Sequence, residues 1–150
     1  SYTALKREQL NELDALCHTL RLMQDELETR ALPLPELAAQ LEERTENAGK
    51  ALLSGLLRRL PELGSRDFQN IWEECVTESV KHSEEAARLL CTLGSFLGRY
   101  DVDSQLEAIR SCRETLEKLR TTAAEALPQT RRLGMGLALT SGALIVITLI

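Results

Sequence analysis

The sequence predicts an all-α protein: a six-helix bundle with long N- and C-terminal helices, followed by a C-terminal transmembrane helix. Three observations support this fold class. Only 3% of the 150 residues are aromatic, and the common residues are Leu, Ala, Glu, Lys and Arg, which favour helices. Apolar seams with helical spacing lie near both ends of the polar part of the chain. The last 18 residues carry no charge.

The first predicted helix runs from about Thr3 to Arg30. Pro33 and Pro35 follow it, and two prolines cannot continue a helix. The helix carries an apolar seam with the spacing 3-4-3-4, which fits packing against a partner helix, formed by Leu13, Leu16, Leu20, Met23 and Leu27.

The second and third predicted helices are short. Pro35 suits the first turn of the second helix, which we expect to end near Gly49. Pro61 and Gly64 end the third. Their apolar faces comprise Leu37, Ala38 and Leu41 in the second helix and Leu52, Leu53, Leu56, Leu57 and Leu60 in the third.

The fourth and fifth predicted helices have clear capping residues. Ser65 or Asp67 can cap the fourth, and Ser83 can cap the fifth, which we expect to end at Gly98. Their buried stripes are Phe68, Ile71, Trp72, Cys75, Val76 and Val80, then Ala86, Leu89, Leu90, Leu93 and Leu97.

The sixth predicted helix opens at Ser104 with the capping-box pattern SQLE. We expect it to pair antiparallel with the first helix as a stalk, with the four shorter helices at the far end and both ends of the domain towards the membrane. No alternating run before residue 133 predicts a strand. The seam of this helix comprises Ile109, Cys112, Leu116, Leu119, Ala123 and Ala126.

We expect the chain to consist of two parts: a cytosolic helical domain over 1–132 and a transmembrane segment over 133–150. The second would form a helix about 27 Å long, near the thickness of a bilayer core. Arg131 and Arg132 flank it on the side expected to be cytoplasmic. Because the chain begins at Ser1 without methionine, we also expect that an N-terminal piece has been removed.

Charge and motifs argue against several functions. The net charge is −5, and no basic block with interleaved aromatics indicates a nucleic-acid partner. Cys17 and His18 are neighbours, so on a helix they point about 100° apart and do not share a metal ion. No nucleotide-binding, cofactor-binding or catalytic motif is present. We therefore expect no enzyme, no cofactor and no metal. Reduced core thiols are expected at Cys17, Cys75, Cys91 and Cys112.

The segment LGSFLGRYDVDSQ, residues 93–105, gathers glycines, aromatics and polar groups in one place. On a structural interpretation, Gly94 allows close helix packing and Gly98 ends a helix. Asp101 or Asp103 then caps the next helix.

On a functional interpretation, the same segment is an exposed turn that docks a partner, with Arg99 and Tyr100 as anchors. The candidate partner-binding residues are Trp72, Gly94, Gly98, Arg99, Tyr100, Asp101, Asp103 and Gln105.

At this turn the chain resembles the stage III sporulation protein AB family, whose signature is LGxxLGxxDxxxQ; the matching stretch is LGSFLGRYDVDSQLEAI. The stretch ALPLPELAAQLEER resembles the family's TPLPEAL segment, and the helix around Trp72 resembles its W-E-x-x-V helix. The ending RRLGMGLALTSGALIVITLI resembles its terminal membrane helix. Pro128 departs from the unbroken run expected before the membrane.

The resemblance implies a platform subunit, similar to the F-type domain of type II secretion systems. Members are expected in the mother-cell membrane facing the forespore, with an N-terminal membrane helix, in a channel complex that contains a secretion-type ATPase. Since heptad seams serve assembly as well as internal packing, a homo-oligomer also stays among the expected partners.

Two other classes of protein fit the sequence less well. A tail-anchored regulator similar to apoptosis regulators should show an Asn-Trp-Gly-Arg turn and a Leu-x₃-Gly-Asp helix. Trp72 has neither neighbour, and Leu60 is followed by Gly64-Ser65. A membrane-bound hydrolase would need a catalytic constellation, which the sequence lacks.

Overall fold

The computed structural model describes residues 2–127 of the chain. Within that range no strand forms, and a single isolated β-bridge joins Leu63 and Arg66. The all-α class and the six helices, with the first and last the longest, are confirmed. The helices are α1 (Tyr2–Arg30), α2 (Leu34–Glu42), α3 (Asn47–Arg59), α4 (Phe68–Ser79), α5 (Glu84–Leu93) and α6 (Val102–Glu125), with a 3-10 turn at Leu60–Glu62 after α3.

Helices α1 and α6 pack against each other over most of their length. Arg120 pairs with Asp14, and the Nε of Arg113 donates to Oε1 of Gln24 at 3.1 Å. The residue numbers of the α6 partners therefore decrease as those on α1 increase, which confirms the antiparallel pairing of the two long helices.

The predicted seams form the core between these helices. Burying each leucine stabilises the fold by roughly 1.5–3 kcal/mol. In the second seam Leu119 is half-buried, and Ala126, which directly follows the last residue of α6, is exposed. The buried seam residues are Leu13, Leu16, Leu20, Met23, Leu27, Ile109, Cys112, Leu116 and Ala123.

The shorter helices lie alongside the long pair, which corrects the expectation that they gather at its far end. Helix α3 packs on α1, α2 and α4, while α5 bridges α4 and α6. Gly49 is also misplaced in the sequence prediction: α2 ends at Glu42, and Gly49 lies in the first turns of α3. A Cβ there would lie 1.9 Å from Oγ1 of Thr19, so this glycine permits close contact between two helices instead of ending one.

Two of the predicted caps are confirmed. Asp67 accepts a hydrogen bond from the backbone N–H of Asn70 at 2.8 Å, and Ser83 accepts one from the N–H of Ala86 at 3.2 Å. Each satisfies a backbone donor that the helix itself leaves without a partner.

Two helix boundaries around the turn were predicted wrongly. Helix α5 ends at Leu93, five residues before Gly98, and α6 begins at Val102 with Asp101 at the N-cap position. Ser104 therefore does not open α6. The N-cap position is Asp101, one of the two alternatives considered from the sequence, but its side chain accepts from the Ser104 hydroxyl and makes no capping hydrogen bond to the backbone.

A buried carboxylate joins α1 to the link between α4 and α5. Glu12 is only 5% exposed. Its Oε1 accepts a hydrogen bond from the backbone N–H of Lys81 at 2.7 Å, and its Oε2 accepts one from the N–H of His82 at 3.0 Å. The carboxylate therefore supplies partners to two link amides that no helix satisfies.

The cysteines are free thiols, three of them buried, with Cys91 half-buried. Burial raises the pKa of Cys17 to about 11 and that of Cys112 to about 12. The folded protein disfavours the thiolate. The stability that comes from burying these thiols in their neutral form is therefore fully present below the ordinary thiol pKa of 9.0 and is lost as the pH rises through about 11.

We expect Cys91 to react first when the native protein is treated with iodoacetamide at pH 8, because it is more exposed to solvent than the other three cysteines. Cys17, Cys75 and Cys112 should be modified only after unfolding. Mass spectrometry of tryptic peptides at successive times measures the order. Early modification of Cys112 would contradict its place in the core.

The predicted transmembrane segment 133–150, its flanking Arg131 and Arg132, and Pro128 lie outside the described residues. Over residues 2–127, none of the helices combines the length and the apolar character needed to cross a bilayer.

Candidate functional site

The turn between α5 and α6 is held in shape by its own residues. Gly98 has a φ of 73°, in the left-handed region that suits glycine. The side chain of Gln105 accepts a hydrogen bond from the N–H of Gly98 at 3.1 Å and donates one to the carbonyl of Tyr100 at 2.7 Å. One amide side chain on α6 thus binds both ends of the turn.

Trp72 supports the turn from the core. It is fully buried, and its indole N–H donates to the carbonyl of Leu90 at 2.6 Å. A Cβ on Gly94 would lie 2.2 Å from Cδ1 of Trp72, so the glycine lets the chain cross the indole ring. Trp72 therefore cannot contact a partner directly, which corrects its place among the candidate contact residues.

The two aspartates have different surroundings. Asp101 accepts a hydrogen bond from the hydroxyl of Ser104 at 2.7 Å, and this bond holds the pKa of Asp101 below its ordinary value. Asp103 is exposed in the first turn of α6 and lines a separate groove between α5 and α6. The structure therefore places Asp101 in the turn and Asp103 outside it.

Exposed apolar side chains surround the turn. Tyr100 is 51% exposed, and its ring centroid lies 5.6 Å from that of Phe96. Arg99 is also exposed. We call this area, at the end of the bundle opposite the described end of α6, the far-end surface; it comprises Leu63, Phe96, Arg99, Tyr100 and Val102.

A groove of about 440 Å³ opens on the far-end surface. It brings together three stretches that are distant in sequence: the α1–α2 connection, the end of α3 with the start of α4, and the turn. Arg99 is the one charged residue that lines it. The other lining residues include Leu32, Pro33, Leu34, Leu60, Leu63, Phe68, Leu97 and Val102.

Comparison with known proteins shows the family and the fold. The family model described as stage III sporulation protein AB matches residues 1–150. The chain belongs to this family. A solved structure of a stage III sporulation protein AB has a TM-score of 0.69 to this chain at 21% identity, covering 81% of this chain and 97% of that chain. At that identity the likeness shows the shared fold. A search of curated proteins finds no match.

Membership of the stage III sporulation protein AB family supports a sporulation-related role, and the family is not a known enzyme family. Over residues 2–127, no three His, Cys, Asp or Glu side chains are grouped to hold a metal ion. An apolar groove with one cation is suited to binding a protein segment.

The family signature and the exposed contacts occupy different positions of the turn. Gly94, Gly98 and Gln105, which the signature specifies, shape the backbone. Arg99 and Tyr100 stand at unspecified positions and are exposed. The sequence analysis did not identify the exposed apolar residues beside them, Leu63, Phe96 and Val102. The one sequence feature that could have indicated them is an apolar side chain within a stretch rich in turn-forming residues.

Proposed function

We propose that this chain is a non-enzymatic platform subunit of a sporulation-specific, secretion-like channel complex between mother cell and forespore. It would sit in the mother-cell membrane with its helical domain in the cytoplasm. The far-end surface would dock a secretion-type ATPase. The observation that carries the proposal is this surface: four large apolar side chains, between 37% and 51% exposed, beside a turn held by internal hydrogen bonds.

The position of the far-end surface suits a platform. The chain enters its C-terminal apolar segment beyond the last turn of α6, while the turn precedes the first residue of α6. A helix of 24 residues separates the two by about 36 Å. If residues 133–150 cross the membrane, as we propose, the far-end surface points away from the bilayer and towards a cytoplasmic partner.

We expect the double substitution Arg99→Ala/Tyr100→Ala to weaken capture of the secretion-type ATPase at least tenfold, because it removes the cation and the most exposed ring of the surface. Pull-down from detergent extracts at several salt concentrations measures the loss. Helical circular dichroism should be unchanged, since neither side chain is in the core.

The matched control is Tyr2→Ala/Arg7→Ala, which removes an exposed tyrosine and an exposed arginine from the opposite end of the bundle. It should leave capture unchanged. Equal capture of the ATPase by both double variants and the parent chain would contradict the proposal that the far-end surface contacts the ATPase.

A further inference from the structure

A second groove, of about 580 Å³, runs between α5 and α6, and we call it the α5–α6 groove. Its floor is apolar, because Leu93 and Cys112 are buried and Leu89 is half-buried. On α6 the lining residues extend from Asp103 to Thr115, about 18 Å along the helix. The groove is therefore long enough to hold about three turns of a further helix.

Short side chains form the walls of the α5–α6 groove. Ala108, Ser111 and Thr115 line it from α6, and Thr92 lines it from α5. Thr92 and Ser111 are exposed, so the groove is open to solvent along its middle. Short walls let the backbone of another helix come close to the apolar floor, and an amphipathic helix in such a groove is a common mode of protein recognition.

The charged residues that line the α5–α6 groove are both acidic. Asp103 and Glu107 are exposed and lie one turn apart on the same face of α6. Glu107 also pairs with Arg110, but both side chains of that pair are exposed, and such a pair contributes little. Glu107 can therefore exchange Arg110 for another cation. One end of the groove thus combines an apolar floor with two carboxylates.

We propose that the α5–α6 groove binds a basic amphipathic helix of a partner protein. The apolar face of that helix packs on Leu89, Leu93 and Cys112, and its lysine or arginine side chains pair with Asp103 and Glu107. This inference does not depend on the ATPase contact, since the groove and the far-end surface share only Phe96.

Charge and chain length argue against an occupant from this chain itself. Two copies of the groove facing each other would bring four carboxylates together, and like charges at close range repel. Arg131 and Arg132 follow within five residues of Leu127, a span of at most about 18 Å. Glu107 lies about 27 Å along α6 from Glu125, so these two cations do not reach it.

Two designed peptides of about fourteen residues, about 21 Å as helices, test the charge of the occupant. Both carry leucine with the spacing i, i+3, i+4 and i+7, and the other positions are lysine in one peptide and glutamate in the other. Fluorescence anisotropy measures the binding of each labelled peptide to the full chain in a non-ionic detergent. We expect the lysine peptide to bind at least tenfold more tightly than the glutamate peptide.

Variants of the full chain test the location. Ser111→Trp should weaken binding of the lysine peptide at least tenfold, because the indole fills the groove. Asp103→Asn/Glu107→Gln should weaken it at least threefold, the effect of two exposed ion pairs. The matched control Asp25→Asn/Glu28→Gln removes an exposed aspartate and an exposed glutamate from α1 and should change binding less than twofold. Circular dichroism should show equal helix content in all variants.

Other results contradict the inference. Equal binding of the two peptides, or tighter binding of the glutamate peptide, overturns a basic occupant. Full binding to Ser111→Trp, or an equal loss in the α1 control and in Asp103→Asn/Glu107→Gln, would show that the peptide binds elsewhere or follows net charge. A parent chain that is dimeric by light scattering, together with a monomeric Ser111→Trp variant, would show that a second copy occupies the groove.

Discussion

Replacing Gly94 with alanine should destabilise the domain by about 3 kcal/mol, the upper part of the usual range for overpacking a core. The new Cβ would lie 2.2 Å from Cδ1 and 2.9 Å from Nε1 of Trp72. The indole is fully buried and donates to the carbonyl of Leu90, so it cannot move aside without losing that bond. The backbone after α5 must shift instead.

Urea unfolding, followed by circular dichroism and by the emission of Trp72, measures this loss. Gly55→Ala is the matched control, since Gly55 lies inside α3 and a Cβ there meets first the guanidinium of Arg59 at 3.0 Å. That group is held by Glu74, Glu78 and the carbonyl of Gly55, but it ends a long side chain, and a shift of a few tenths of an ångström relieves the contact. Alanine also favours the helix by up to about 1 kcal/mol, so Gly55→Ala should be close to neutral. Equal stability of the two variants would contradict tight packing of Gly94 on Trp72.

The substitution Glu12→Gln should cost about 2 kcal/mol, in the range of hydrogen bonds to charged groups. Gln has nearly the same shape, so the change tests charge and hydrogen bonding without opening a cavity. In the native protein both carboxylate oxygens accept from link amides, those of Lys81 and His82. In the variant an NH₂ group faces one of these donors, and that N–H loses its acceptor.

Glu8→Gln, one turn earlier on the same helix, provides the control. The side chain of Glu8 is 59% exposed and its Oε1 lies 3.5 Å from Nε2 of His82. Exposed pairs of this kind contribute little, so its substitution should change stability by less than about 0.5 kcal/mol. Native-state hydrogen exchange gives a second measurement: Glu12→Gln should speed exchange at Lys81 and His82 more than elsewhere. Unchanged exchange there would show that water replaces the carboxylate at little cost.

Apolar periodicity was sufficient to predict the number of helices and the antiparallel pair, because burial of a continuous stripe dominates helix formation here. Glycines misled the boundaries. Gly49 and Gly98 both read as helix ends, yet Gly49 serves contact with Thr19 and only Gly98 adopts a positive φ. The sequence shows where a glycine stands, but not whether close packing or a positive φ requires glycine at that position.

The turn between α5 and α6 could be singled out from the sequence as a candidate site, but the division of its residues into supporting and exposed ones needed the tertiary structure. Trp72 could be a surface anchor or a core residue by sequence alone, and the structure buries it. The groove beside Arg99 forms because antiparallel packing brings the α1–α2 connection next to the start of α6. Glu12 gave no signal, since its partners are backbone amides about 70 residues away.

The bonds that Gln105 makes across the turn have a consequence for how this protein could acquire new partners. Since the backbone from Gly98 to Tyr100 is already fixed, docking pays little further loss of conformational entropy. The exposed side chains can then be exchanged without changing the loop that presents them. If the far-end surface docks a partner as we propose, partner preference can diverge through Arg99, Tyr100 and Phe96 without altering Gly98 and Gln105, which hold the turn.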